Sequence, residues 1–345
     1  MNEIRIDHNI LVSAIAERLA RVSMPDPVRA IEAKVMTEAD LLGVPSHGVR
    51  MLPGLVQAIE NGHVNPEPRL ALVRDHAAIC TVDGDRGPGR YISVQAMNLA
   101  VERAKRFGVG TCVAANTSHW GRAHAYAYRA AQQGMIGICT TNAISSMLSW
   151  DSDRSLLGNN PLAIGVPRGA DRPPVVLDIA MSQAAIGKIA TYRREGRPVP
   201  MGWGLNATGQ PTNNPAAILD AGKFLPFGDH KGAGLSFMLE LLTGALAGGL
   251  LCFEFGGAAT GYLDVGSSKL FLALDLAAFI EPTIFFQRVE DMIDFIHTAE
   301  PERHHLYPGQ RGWQARAENL VKGVPLHPDI VAELTAAGVV LPITQ

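Results

Sequence analysis

The stretch Gly108-Val109-Gly110-Thr111-Cys112-Val113-Ala114-Ala115-Asn116-Thr117-Ser118-His119-Trp120-Gly121-Arg122 decides what fold this chain can have. It opens with a Gly-x-Gly pair, the start of many phosphate-binding turns. Such a turn follows a strand and feeds a helix, whereas here an apolar strand pattern over 109–115 comes next. A standard Rossmann unit is therefore excluded at this place. The strand pattern ends in a polar loop, where chemistry-bearing side chains collect. His119 lies there after a hydroxyl residue, much as His47 does in Pro45-Ser46-His47-Gly48 beyond a helix. An imidazole exchanges protons near neutral pH. Two such loops point to an acid/base enzyme rather than a binding scaffold.

Outward from this stretch, helical and strand patterns alternate. Residues 77–82 read as a short strand, 83–89 as a turn-rich loop and 93–107 as a helix. On the other side a helix over 123–133 stops at Gly134. Strands are expected over 135–141, 162–166 and 175–177, with a helix over 182–194. Residues 1–70 read as helical throughout. Asp26-Pro27 has the form of an N-cap followed by proline at the first helical position, and Val28, Ile31, Val35, Met36 and Ala39 follow at helical spacing. Gly43 ends that helix, and a further one over 51–60 stops at Asn61-Gly62. Residues 196–230, rich in Gly, Pro and Asn, read as a long ordered loop of functional kind. An apolar helix after Lys231, a strand over 270–274, a helix over 285–297 and charged amphipathic helices complete an α/β or α+β body.

The 345 residues suggest two domains, and 47% apolar with 18% charged residues reads as globular. So low a charge fraction suggests surface buried between subunits. A net charge of −3 gives no electrostatic footprint for nucleic acid or an acidic membrane. Cys80, Cys112, Cys139 and Cys252 lie far apart in apolar runs, without metal or redox spacing. No signal-peptide pattern opens the chain, and Glu240 interrupts the apolar region 232–255, so a cytoplasmic location is expected. Gly232-Ala233-Gly234-Leu235-Ser236-Phe237 lacks the third glycine and the preceding strand of a dinucleotide fingerprint. No Walker A, His-Glu-x-x-His or Gly-x-Ser-x-Gly pattern occurs. Asp83 and Asp85 lack the remaining ligands of a calcium loop, and His119 and His124 are five apart, so no metal is expected.

Packing leaves several segments unexplained. They are Ser46-His47-Gly48, Asn116 to Arg122, Leu157-Gly158-Asn159-Asn160-Pro161-Leu162-Ala163, Leu177-Asp178-Ile179-Ala180-Met181-Ser182 with Gly187-Lys188, and Phe227-Gly228-Asp229-His230-Lys231-Gly232. Pro200-Met201-Gly202-Trp203, Gly209-Gln210-Pro211-Thr212-Asn213-Asn214-Pro215 and Tyr307-Pro308-Gly309-Gln310 add loop markers. In this order, over about 10–340, the chain resembles the type-2 malate/L-lactate dehydrogenase family. The resemblance implies an NAD- or NADP-dependent oxidoreductase with a non-Rossmann cofactor domain on a mixed, largely antiparallel sheet. It also implies a helical domain built from both chain ends, so that 1–72 with 280–345 form one unit and 73–279 the other. A homodimer and a small carboxylate substrate follow from the same resemblance.

The resemblance implies roles as well. His47 matches the histidine that exchanges a proton with the substrate oxygen, since a carbonyl that receives hydride must also be protonated. Ser46 would orient its ring. His119 matches a second histidine between substrate and cofactor, and ranks second as the proton donor. Gly121, Arg122 and Ala123 match a loop whose amides approach the dinucleotide. Asp178, Ile179 and Ala180 match a cofactor-contacting strand end, Lys231 a cofactor lysine, and Gly309 with Gln310 a closing loop. Three positions bear on the substrate: Arg50, Met51 and Lys188. Many family members carry a carboxylate-binding arginine where Met51 stands, and Arg50 is one position early. Imine-reducing members carry aspartate where Lys188 stands, so lysine favours a 2-hydroxy/2-oxo acid pair over a cyclic imine carboxylate. The glycine-rich tract 255–267 is a further unusual feature of this chain.

Overall fold

The structure, a computed structural model, describes residues 3–169, 172–256, 264–300 and 302–342; the centre of the glycine-rich tract, 257–263, lies outside them. The chain opens with a strand that the helical reading of 1–70 did not foresee, β1 (Ile4–Ile6). Three helices follow: α1 (His8–Ala20), α2 (Asp26–Leu41) and α3 (Leu52–Glu60). The cap expected for α2 is corrected. Pro25 occupies the cap position, Asp26 is already helical, and its carboxylate pairs with Arg29.

The reading of 77–89 as strand and loop is also corrected. Strands β2 (Ala71–His76) and β3 (Ile79–Gly87) form a hairpin, and 83–87 stay in the sheet through a bulge with Asp85 and Arg86 at positive φ. Asp83 stabilises that bulge, its Oδ1 accepting from the Asp85 amide at 2.7 Å and from Asn116 Nδ2 at 3.0 Å. Next come α4 (Gly89–Phe107), β4 (Val109–Thr117), α5 (His124–Ala131) and β5 (Met135–Thr141). Two short strands escaped the sequence reading, β6 (Ser145–Leu148) and β7 (Ser155–Gly158), before β8 (Leu162–Val166) and β9 (Val175–Ile179).

Helix α6 (Ile186–Arg194) starts four residues later than expected. Ser182 is tied instead to a bridge with Pro226 and to Asn159 Oδ1, which accepts from its amide and hydroxyl at 3.1 and 2.8 Å. The 196–230 segment is not a bare loop. It carries β10 (Gly204–Leu205), α7 (Pro215–Ala221) and β11 (Lys223–Phe224). The remaining elements are α8 (His230–Glu240), β12 (Ser267–Asp275), α9 (Pro282–Thr298), α10 (Gln310–Lys322), β13 (Val324–Leu326) and α11 (Pro328–Ala336).

Among the described residues the largest sheet has seven strands in the order β2-β3-β4-β12-β5-β8-β9, and only β3 and β4 pair in parallel. This is the mixed, largely antiparallel sheet that the resemblance implies. Helices α4 and α5 cover it, burying Ile92, Met97, Tyr126 and Phe271. A second core joins Leu11, Ile15, Met36, Leu52 and Leu55 to Val324, Leu326, Ile330 and Leu334. Each such side chain contributes about 1.5–3 kcal/mol on burial. Packing, rather than the three-residue β1–β13 pair, therefore holds the C-terminal segment to the N-terminal helices.

Candidate active site

The His47 turn is built on a buried carboxylate. Asp40, in the last turn of α2, accepts from the Val49 amide at 2.7 Å and so folds the chain back over itself. Gly48 crosses this carboxylate so closely that a Cβ there would lie 2.0 Å from Asp40 Oδ1. Burial raises the Asp40 pKa to about 7. Between these anchors 45–47 form one 3-10 turn, and Ser46 Oγ lies 2.9 Å from His47 Nδ1. His47 is half-buried, and the loss of water lowers its pKa to about 4, against the opposing charge of Asp178. Its free ring is neutral at pH 7.

The second loop leaves the end of β4. Ser118 Oγ donates to the Gly87 carbonyl and accepts from the Gly89 amide, both at 2.9 Å. The Gly121 amide donates to His119 Nδ1 at 3.0 Å, so the neutral ring carries its proton on Nε2. That nitrogen stands 3.6 Å from Asp264 Oδ2. Gly121 has φ +74°, and a Cβ there would meet Arg90 Nε at 2.7 Å, which fits glycine alone. Burial and the nearby Arg90, His47 and Lys269 charges hold His119 well below its ordinary pKa. The two imidazoles stack, with centroids 6.1 Å apart and planes at 23°.

A groove of about 830 Å³ opens beside them. Its lining brings together Ser46 and His47, Gly121 to Ala123, Asp178 and Ala180, Lys188 and Gly309. Asp178 Oδ2 accepts from Arg122 Nε at 2.8 Å and from the His124 amide at 3.2 Å. It thereby occupies the first amide of α5, next to the Gly121–Ala123 loop whose amides the resemblance brings to the dinucleotide. Arg122 Nη1 is buried and has no hydrogen-bond partner. Lys188 is exposed, its ammonium 5.1 Å from the Trp203 ring centroid. Asn159, quoted above only as part of a motif, also lines the groove.

Other expected residues lie off the lining. His119 sits behind His47. Ile179 points into an apolar cluster with Met147 and Met181. Met51 packs on the helical core, and Arg50 is half-buried near Arg194 and Glu333. Lys231 is exposed at the start of α8. Gln310 Oε1 accepts from the Tyr307 amide at 3.1 Å and lies 3.1 Å from His297 Nε2, which braces the 307–310 turn. Sequence reasoning missed Asp264 and Lys269 altogether. The available signal was a lone charge in the apolar run Ser268-Lys269-Leu270-Phe271-Leu272.

A model of the malate/L-lactate dehydrogenase family matches residues 6–335. A malate dehydrogenase of Pyrococcus horikoshii is 33% identical over 345 residues, spanning 96% of this chain and 94% of that protein. An L-sulfolactate dehydrogenase of Methanocaldococcus jannaschii is 33% identical, spanning 86% of each. The solved Δ1-piperideine-2-carboxylate reductase of Pseudomonas syringae superposes with a TM-score of 0.88 at 28% identity, covering 96% of this chain and 99% of that one. Fold and relatives define an oxidoreductase, an NAD(P)-dependent dehydrogenase acting on CH–OH groups. The chain belongs to the malate/L-lactate dehydrogenase family.

Proposed function

We propose that this enzyme interconverts a small 2-hydroxycarboxylate and its 2-oxocarboxylate, with His47 exchanging the proton on the substrate oxygen. The observation that carries this reading is the stacked His47–His119 pair at a groove with surplus positive charge. The lining holds Arg122, Lys188, Arg197 and Arg311 against Asp178 and Glu195. Such a surface suits an anionic dinucleotide and a carboxylate substrate. The buried, unpartnered Arg122 Nη1 fits the same picture, because an orphaned cationic donor calls for an anion.

When bound, the nicotinamide, from NAD or NADP, supplies or accepts hydride. Ser46 orients the His47 ring through Nδ1 and leaves Nε2 for the substrate oxygen. His119, braced behind it, is the second proton-handling group. Arg122 with Asp178 shapes the dinucleotide side, together with the Gly121, Ala123, Ala180 and Gly309 backbone. Lys188 offers its ammonium to a substrate anion. Arg50, Met51, Ile179, Lys231 and Gln310 would act at a remove from this groove.

A homodimer is supported by one face of α8 and the π-turn after it. Phe237, Met238, Leu241, Leu242 and Leu246 are 51%, 52%, 41%, 42% and 59% exposed at helical spacing. The division into 1–72 with 280–345 and 73–279 is supported by the separate core that joins both chain ends. Ile293 of α9 and Trp313 of α10 pack into the other core, as do Ile31 and Val35 of α2, so these helices join the halves. Among the described residues no helix is long and apolar enough to cross a membrane.

A rival reading, reduction of a cyclic imine carboxylate, is supported by the piperideine-carboxylate reductase neighbour. The ammonium of Lys188 counts against it, since an iminium substrate would meet a like charge. Oxidation of NADH and NADPH with a panel of 2-oxo acids, beside pyrroline-2-carboxylate, separates the two. Turnover of 2-oxo acids is expected, and turnover of the imine alone would refute the proposal.

A further inference from the structure

One buried cation is unused by the chemistry above. Lys269 lies on β12 between β4 and β5, opposite Ala114 and Thr141, and is 0% exposed. A buried ammonium must find an acceptor for each proton or lose its charge. Lys269 Nζ donates to Thr117 Oγ1, to the Ser118 carbonyl at 3.0 Å and to Ser267 Oγ at 2.8 Å, so its three protons have three acceptors. Two of these belong to the residues immediately before His119. The register between β12 and β4 shifts between Ser267 and Lys269, which turns this side chain under the end of β4.

The turn carrying Asp264 is strapped to the same place. The Gly266 amide donates to the Thr117 carbonyl at 2.7 Å, and the Ser267 amide to the Asp264 carbonyl at 3.1 Å. Asp264 Oδ2 then stands 3.6 Å from His119 Nε2, while Nδ1 accepts from Gly121. The ring is thus held at Nδ1 by a hydrogen bond, while its Nε2 faces the Asp264 carboxylate and the strand end that bears it is tied down by Lys269. The charged and titratable groups around this cluster are Lys269, Asp264, His119, His47 and Arg90.

We propose that Lys269 is a positioning residue for His119: it anchors the strand end that bears the ring and keeps Asp264 ionised, so that a carboxylate faces Nε2–H. This rests on the reading of the groove as the reaction site. The physical need is plain in the titration of the pair. Burial raises the Asp264 carboxyl and lowers the Lys269 ammonium, and each is opposed by the other's charge. Without the ammonium, Asp264 would keep its proton at neutral pH, and a carboxylic acid could donate to the ring instead of accepting from it. The Gly121 amide at Nδ1 would then be left alone in favouring the Nε2–H form of His119, against a donor at Nε2.

The test uses the full-length enzyme and the variants Asp264→Asn, Lys269→Met and the double variant. The first readout is the pH dependence of kcat/KM with a 2-oxo acid that the wild type reduces. The expected result is a fall in kcat of about 10- to 100-fold in each single variant, with KM within about threefold. The acid limb moves up by about one pH unit in Lys269→Met, because Asp264 loses its cation, and vanishes in Asp264→Asn. The double variant loses no more than the worse single one, since both act through one ring. Lys269→Met strips donors from three buried acceptors; where it does not fold, the near-isosteric Asp264→Asn carries the test.

The second readout is the nitrogen-15 spectrum of His119, which does not depend on turnover. A single Nε2–H form is expected in the wild type and a mixture of tautomers in Asp264→Asn. An unchanged pH profile with an unshifted His119 spectrum overturns the role of Lys269 and Asp264. A wild type that reduces no 2-oxo acid, yet shows the expected tautomer change, overturns the functional reading instead.

Discussion

The buried state of His47 sets how the site responds to pH. Lowering an imidazole from 6.5 to about 4 corresponds to about 3 kcal/mol against the charged ring. A carboxylate about 4 Å away offsets about 4 kcal/mol at an effective dielectric of 20. On the proposed function, a 2-oxo acid bound with its carboxylate at that distance would return His47 to a proton-donating range. The free enzyme holds the base form already above about pH 5, so kcat/KM for oxidation of the hydroxy acid should be flat from there to pH 8 as far as His47 is concerned. For reduction, which needs the acid form, the His47 contribution to log kcat/KM should fall with unit slope over the same range. A break near 6.5 in both profiles would show an ordinary exposed imidazole instead. At Gly121 the prediction is structural. Alanine meets positive φ at a cost of about 1–2 kcal/mol, and its methyl group meets Arg90. Gly121→Ala should lower the melting temperature and disturb the amide that His119 accepts from. An unchanged melting temperature would mean that the loop tolerates the turn differently.

At the scale of elements, α5 is held by a carboxylate from β9. Asp178→Ala removes the acceptor for the His124 amide and the partner of Arg122, at about 2–3 kcal/mol together. Chemical denaturation should show that loss, with Asp178→Asn recovering part of it; equal stability of wild type and alanine variant would refute the capping role. The elements differ in how legible they were. Strands β5 and β8 were read at their observed limits because each is an apolar run bounded by turn residues. Strands β6 and β7 were not, since four residues mixing serine with leucine carry no periodicity. β1 was missed because its pairing partner, β13, lies at the other end of the chain. His47 was legible from its loop, flanked by a hydroxyl and a glycine, while Lys269 was not. A lysine beside an apolar run reads as solvent-facing until neighbouring strands cover it on both sides.

For the whole molecule, the central sheet and the helical core at the chain ends meet where His47, from the helical side, stacks on His119, from the sheet. That meeting explains why Ser46-His47, Gly121 to Ala123, Asn159, Asp178 and Lys188, so far apart in sequence, share one groove, while Lys231 stays outside it. The exposed face of α8 and the low overall charge, 18% charged residues, both fit the proposed subunit interface. On the proposed dimer, the wild type should sediment as a dimer and Leu242→Asp as a monomer; a variant that stays dimeric would place the interface elsewhere, and a monomeric wild type would refute the dimer.

The most direct test concerns His47 itself. His47→Ala is compared with the wild type in the oxidation of NADH or NADPH by a 2-oxo acid, and cofactor binding is followed by nicotinamide fluorescence. The expected result is a loss of at least about 100-fold in kcat, with the cofactor dissociation constant unchanged within about threefold. Near-normal turnover in His47→Ala would contradict the assignment of the proton transfer to this residue.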